Sequence, residues 1–397
     1  MTTPISNLCM WNEIRNKLHQ NPGISGCEAY AHDLIVDCLT PLSPAELHQH
    51  VGGYGVVACF GTNKTLPAIV FRADIDALPI GHRCGHDGHT TILLRFAKLL
   101  SETPAILEKY NVLLVFQPEE ETGYGAQKIL DSAVLDGYAI GAVFGLHNLP
   151  GYPMGQVVLS RRTFAAASTG VVFHLEGRET HASTPEKGIN PGLAVAELIA
   201  QMDAECNSGS LDIDGFRQST LICVKLGEEA FGTSAAMADV MFTLRAFTNH
   251  AMDCLVEDAN RMAQEVARKY HLRFSVEYRD PFPATENVPH LVEEFASLLD
   301  ETAVAGPRYI SENVADGHLG SDVCLWVYKP EPFRWSEDFA HYLRRYPGLF
   351  FGIGAGVEHL ELHHPDYDFP DQLIEPAARL FLLLASNAER FLAPRLD

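Results

Sequence analysis

Positive charge is what this 397-residue chain has least of: 29 lysines and arginines stand against 51 aspartates and glutamates, a formal net charge of −22. Nucleic acid and anionic membrane surfaces need a basic footprint, so neither is expected as a partner. An anionic substrate would need local positive charge from a metal or an arginine. Long apolar runs are missing too, since none approaches the roughly 20 residues that span a bilayer, and no secretory-type apolar segment follows Met1. The nine cysteines are odd in number and scattered, which speaks against a disulfide framework and for a reduced, cytoplasmic setting. No GxSxG elbow, Walker loop or GxGxxG occurs, so serine hydrolysis, phosphoryl transfer and dinucleotide binding lack sequence support. Gly52-Gly53-Tyr54-Gly55 is too short and badly spaced to count, and there is neither an internal repeat nor a low-complexity tract.

What is present is a core: 47% of residues are apolar, enough for about two or three domains at roughly 150 residues each. Trp11, Ile14 and Leu18 recur at helical spacing, as do Tyr30, Ala31, Leu34, Ile35 and Cys38. Short apolar runs at Val56 to Phe60, Ala68 to Phe71 and Val112 to Phe116 read as buried strands, and such alternation predicts an α/β sheet covered by helices. From 168 to 281 the order becomes strand (Gly170 to Leu175), helix (Gly192 to Cys206), strand (Thr220 to Leu226), strand (Asp239 to Arg245), helix (Met252 to Lys269), strand (Leu272 to Tyr278). That is the split βαβ, ferredoxin-like signature. The α/β character returns after Pro281, with a helix at His290 to Leu299, a strand at Leu349 to Ile353 and a closing helix from Asp371 through Phe391. The expected organisation is a discontinuous first domain, 1–167 and 282–397, interrupted by an inserted α+β domain, 168–281.

Chemistry concentrates at Cys84-Gly85-His86-Asp87-Gly88-His89, Glu119-Glu120-Glu121, His147 and His363. Imidazoles, a thiolate and carboxylates together form the donor set of a divalent transition metal. Cys84 and His86 flank a glycine at the mouth of a helix predicted from His89 to Ser101, where they can share one metal or straddle two, with the helix N-terminus favouring an ionised thiol. The bland alternative is a buried cysteine beside a capping Asp87. Asp74 and Asp76 follow a strand on one side of it; Asp76 is either an acceptor that fixes the tautomer of a ligating histidine or a plain turn carboxylate. Three adjacent acids at 119–121 repel one another unless a cation neutralises them, and one can bind metal while a neighbour takes a proton from the attacking water. Alone, this run reads equally as a solvated acidic loop, His147 as a structural histidine and His363-His364-Pro365 as a polar turn. Their joint occurrence points to a metal hydrolase.

In this order the motifs resemble the aminoacylase and carboxypeptidase-G-like superfamily of metallopeptidases, in its amidohydrolase branch with hippurate hydrolase and the indole-acetyl-amino-acid hydrolases. The resemblance runs from Leu18-His19-Gln20-Asn21-Pro22-Gly23 to Leu362-His363-His364-Pro365, through Phe71 to Pro79, Cys84 to His89, Phe116 to Glu121, Gly145 to Asn148, His181 to Pro185 and Ser336 to Phe339. It implies a mixed-sheet catalytic domain with a ferredoxin-like lid, often dimeric through that lid. It implies two divalent ions, manganese or zinc with cobalt or nickel as alternatives, held by Cys84, His86, Glu121, His147 and His363. Glu120 would be general base and acid, His181 would steady the oxyanion and Asp76 would orient a ligand; the substrate would be an N-acyl amino acid. Three departures stand out. Only Ile80 to Arg83 separate Pro79 from Cys84 where a longer loop is usual, Glu119 replaces a small residue, and Ala238 to Phe247 lacks the usual Asn-Val-Ile-Pro approach. Glu119 also opens a second reading, a peptidase that would hold a free ammonium group. A metal-binding protein without catalysis would require loss of the base, yet Glu120 is present.

Overall fold

The computed structural model describes residues 4–207, 209–304 and 326–392. In chain order they form helices α1 (Pro4–Gln20) and α2 (Ala29–Leu39), strands β1 (Glu46–Val51), β2 (Gly55–Phe60) and β3 (Pro67–Asp74), α3 (His86–Ser101), β4 (Asn111–Gln117), α4 (Gly125–Asp131), β5 (Ala139–Pro150) and β6 (Val157–Leu159). Then come β7 (Ala167–Glu176), β8 (Thr180–His181), α5 (Gly192–Cys206), β9 (Arg217–Leu226), β10 (Thr233–Ser234), β11 (Met237–Ala246), α6 (Asn249–Lys269) and β12 (Arg273–Phe282). The chain closes with α7 (Pro289–Val304), β13 (Trp326–Tyr328), α8 (Ala340–Leu343), β14 (Gly348–Gly356) and α9 (Ile374–Ser386).

Two compact units result: Met1–Phe164, Glu286–Pro330 and Asp338–Asp397 form the first, Ala165–Thr285 with Glu331–Glu337 the second. The division differs from 168–281 because Ala166 donates its N–H to the carbonyls of Phe333 and Trp335 (2.9 and 3.0 Å), drawing 331–337 to the second unit. No helix among the described residues is long and apolar enough to cross a membrane.

The first unit is built on a mixed eight-stranded sheet of order β1-β2-β4-β3-β5-β14-β6-β13. At its centre β4, β3, β5 and β14 run parallel. Their continuous apolar runs follow from burial on both faces. α3 packs against β3, α1 and α9, which buries nearly every residue from His86 to Leu100. Phe71 on β3 meets Phe96, Phe144 and Phe381 at ring-centroid distances of 4.7, 5.3 and 5.0 Å. Pairs of this kind add about 0.5–1.5 kcal/mol each beyond the burial of their area.

In the second unit the antiparallel sheet β12-β7-β11-β9 carries α5 and α6 on one face. β11 alternates strictly, turning Ala238, Val240, Phe242, Leu244 and Ala246 into the core. Thr248 caps α6 by accepting the Ala251 N–H on its hydroxyl (3.1 Å). The βαββαβ order is the one the strand and helix spacing predicts. A small β8/β10 ribbon is added to it.

Candidate metal centre

Parallel strands present their carboxyl ends on one side of a sheet, where α/β proteins bind ligands. Here β3 ends at Asp74, β4 at Gln117 and β5 carries His147 near its end. The fully buried Arg72 ties these ends together, donating to Asp74 Oδ2 (2.7 Å), Asp338 Oδ1 (2.7 Å) and Gln117 Oε1 (2.9 Å). Removing one partner of such a buried network costs about 3–5 kcal/mol. Asp338 returns to the site through its own N–H, 3.5 Å from Glu120 Oε1.

The Cys84 to His89 loop enters α3 one turn earlier than expected, at His86 rather than His89. Gly85 makes this possible. Its φ of +95° is open to glycine, and a Cβ there would lie 2.5 Å from Asn148 Oδ1. The early start puts His86 on the first turn with Nδ1 3.0 Å from the carbonyl and 3.4 Å from Oδ1 of Asp76, leaving Nε2 aimed inward. The two aspartates hydrogen-bond differently, because Asp74 Oδ1 accepts from His89 Nδ1 (2.6 Å) while its Oδ2 lies 3.8 Å from His86 Nε2; His89 Nε2 faces Asn148 Oδ1 (2.5 Å). His89 is thus occupied on both nitrogens. The short segment after Pro79 closes as a tight turn, with Gly81 N–H donating to Leu78 O (2.8 Å). His363, itself at φ +67°, is held by donation of its N–H to Arg83 O (2.8 Å).

Six side chains converge. Cys84 Sγ lies 3.6 Å from His147 Nε2 and 3.5 Å from His363 Nε2; His86 Nε2 lies 3.9 Å from Glu121 Oε1 and 4.0 Å from Glu120 Oε2. The donor atoms of Cys84, His86 and His147, of Cys84, Glu121 and His363, and of His86, Glu120 and Glu121 form groups within 4.8 Å. His147 Nδ1 faces the carbonyl of Asn148 (2.8 Å), which turns Nε2 toward the thiol. His86 Nε2 and Glu121 Oε1 are buried and, among the described residues, have no hydrogen-bond partner. Buried polar atoms without partners are rare, and a cation between them supplies one, so the residues fit a metal centre.

Electrostatics point the same way. Burial, with Glu121 beside it, pushes the Cys84 thiol well up, which overrides the expected effect of the helix N-terminus. Burial also pushes Glu121 up to about 7 against the pull of His86. Burial disfavours a charged His86, yet Asp74 and Cys84 hold it well above its ordinary value. His147 is pushed down by burial and by His89, and His363 by burial and by His86. A buried acidic cluster that retains protons on its thiol, on a carboxyl and on an imidazole exchanges them for a metal ion. Binding should therefore release protons and weaken as pH falls through about 7, where Glu121 takes its proton up. Cys84→Ser should weaken binding further, by at least the roughly 10–100-fold that loss of a supporting partner costs. Titration of the metal-free protein with manganese or zinc at several pH values checks both; unchanged stoichiometry and affinity in the serine variant would remove the thiolate from the ligand set.

His181 belongs to the second unit. It is exposed, on the β8/β10 ribbon, and its Nδ1 accepts the Ser183 N–H (3.1 Å), which places the neutral ring's proton on Nε2. Glu119 is engaged elsewhere: Lys128 Nζ lies 2.5 Å from its Oε1. Sequence reasoning quoted Arg72 and Asp338 within motifs without giving them a role, and missed Ser25 and Glu28. Ser25 donates to Asp76 Oδ2 (2.7 Å), which also accepts the Glu121 N–H (3.1 Å). Strict hydrophobic periodicity cannot find such residues, although a charged residue inside an apolar strand, as at Arg72, was a visible signal.

An α/β sheet with thiolate, imidazole and carboxylate donors gathered at its strand ends defines a metallohydrolase. The chain belongs to peptidase family M20/M25/M40, whose sequence profile matches residues 70–387, and it is a metal-dependent amidohydrolase. It is 29% identical over 399 residues to the N-acetyl-L-cysteine deacetylase of Bacillus subtilis (strain 168), with 96% of this chain and 87% of that protein covered. It is 30% identical over 404 residues to the IAA-amino acid hydrolase ILR1-like 5 of Arabidopsis thaliana, with 96% and 86% covered. Its fold is shared with the Bacillus subtilis YxeP protein, described as a dinuclear metal binding peptidase of the M20 family, at a TM-score of 0.76 and 24% identity over 95% and 97% of the two chains.

Proposed function

We propose that the protein hydrolyses the amide bond of N-acyl amino acids, releasing a carboxylic acid and a free amino acid. Cys84, His86, Glu121, His147 and His363 would hold two divalent ions, manganese or zinc, with cobalt or nickel as alternatives. The observation that carries the reading is the convergence of these five donors beside Glu120, with His86 Nε2 and Glu121 Oε1 buried and lacking hydrogen-bond partners among the described residues. When bound, the metals lower the pKa of a water towards about 7 and polarise the amide carbonyl. Glu120 takes the proton of the attacking water, on the Oε2 side that faces His86, and passes it to the leaving nitrogen. Asp76 orients His86. His181 donates its Nε2–H to the developing oxyanion.

The peptidase reading needs a free carboxylate for the substrate ammonium, and the Lys128 ion pair already neutralises Glu119. The names of the relatives suggest N-acetyl and indole-acetyl amino acids for a panel, beside N-benzoyl amino acids and dipeptides, with each metal added separately. N-acyl amino acids should be hydrolysed with a kcat/KM well above that for dipeptides. Comparable cleavage of dipeptides would favour the peptidase, and no turnover with any metal would favour a binding protein.

The second unit also supports a homodimer. β9 ends its sheet and, among the described residues, pairs with no strand on its outer side, while Leu221, Ile222, Val224 and Leu226 are exposed along it. Such an edge invites a second copy. All seven cysteines whose side chains are described are unpaired thiols, in keeping with a reducing, cytoplasmic setting.

A further inference from the structure

We propose that Glu28 is a positioning residue for the reaction: its carboxylate holds the peptide of Glu119 in a left-handed turn and thereby sets where the Glu120 and Glu121 side chains point. Glu28 stands just before α2 and is wholly buried. Its Oε1 accepts two N–H groups, from Gly26 (2.8 Å) and from Glu119 (3.1 Å), the latter 91 residues away in sequence. Its Oε2 is buried with no hydrogen-bond partner among the described residues. A carboxyl kept dry in this way is costly for stability and calls for a specific task.

The task is visible at Glu119. This residue has φ +56° and ψ +36°, a conformation that side chains with a Cβ rarely adopt, and it starts the one-turn helix Glu120–Thr122. Were it to relax to ordinary φ, the following two carboxylates would swing off the cluster. A second clamp works two residues on, where Asp76 Oδ2 accepts the Glu121 N–H while also accepting the Ser25 hydroxyl. The acidic turn is therefore gripped at both ends, by Glu28 directly and by Asp76, whose accepting oxygen Ser25 also holds. Burial pushes Glu28 up to about 7 against its two N–H bonds, but ionised or neutral it keeps an accepting oxygen. Acceptance, rather than charge, is what the turn requires.

The inference rests on Glu120 acting as the base, and the test separates the two. With metal content measured in every sample, E28A should lower kcat about 5–30-fold, the equivalent of the left-handed penalty left uncompensated, with KM little changed. E28Q, which keeps an accepting oxygen, should restore most of the rate. E119G, which adopts positive φ without penalty, should restore it in the E28A background when measured against E119G alone. E28D, whose shortened side chain cannot reach the Glu119 N–H, should behave as E28A and carries the test if E28A does not fold. If E28Q is as slow as E28A or E28D and E119G rescues neither, Glu28 is only structural. An E120Q control that retains turnover would instead overturn the base assignment itself.

Discussion

Glu120→Gln should remove most turnover, by about a hundred- to ten-thousand-fold, while leaving fold and metal content intact. The amide has nearly the shape of the carboxylate but cannot accept the proton of the attacking water. Its remaining oxygen can still receive the Asp338 N–H that lies 3.5 Å from Oε1 in the native side chain, so the acidic turn keeps its anchor. Metal analysis and thermal melting report the intact scaffold, and kcat reports the loss. A metal-replete variant turning over at near the native rate would take Glu120 out of the mechanism.

His181→Ala should lower kcat by about a hundred- to a thousand-fold and change KM far less, because a donor to the oxyanion acts mainly in the transition state. The ring is prepared for this, with Nδ1 occupied by the Ser183 N–H and the proton left on Nε2. A histidine that merely shaped the loop before Pro185 would leave both constants unchanged on truncation. If the lid of one copy serves the site of another through the β9 edge, mixing Glu120→Gln with His181→Ala proteins should regenerate activity in heterodimers. No recovery, with subunit exchange verified by light scattering and mass spectrometry, would assign the histidine to the metals of its own chain.

The fold was legible wherever burial on one or both faces imposes a period. The lid's six elements were readable because β11 alternates strictly and α6 carries a long apolar stripe from Ala251 to Ala267. β1 was missed because Glu46–Val51 is a half-buried edge strand of polar residues, and β6 and β13 because three residues carry no period. The start of α3 was placed a turn late since two glycines in Gly85 to Gly88 suggest a loop, whereas Gly85 supplies the left-handed turn that launches the helix. At the site, donor residues with distinctive side chains could be picked out from sequence. Among their supports Arg72 alone left a local mark, a charge inside an apolar strand, but its partner Asp338 lies 266 residues away, and Glu28 and Glu119 are 91 apart. Nothing local marks a residue that bonds a backbone N–H so far away in sequence.

The 279 residues between Cys84 and His363 have a consequence for biosynthesis. At roughly 5–20 residues per second, a ribosome needs about 14–56 s to travel from the first donor to the last. Throughout that interval the nascent first unit carries Cys84, His86 and the acidic turn without His363 beside them, while the second unit, encoded wholly within the gap, has time to fold. The cluster of Cys84, Glu121 and His363 can therefore close only late, after β14 has joined the sheet beside β5. Once the unit is complete, burial holds the thiol's proton tightly, which slows oxidation of Cys84 whenever the site is without metal.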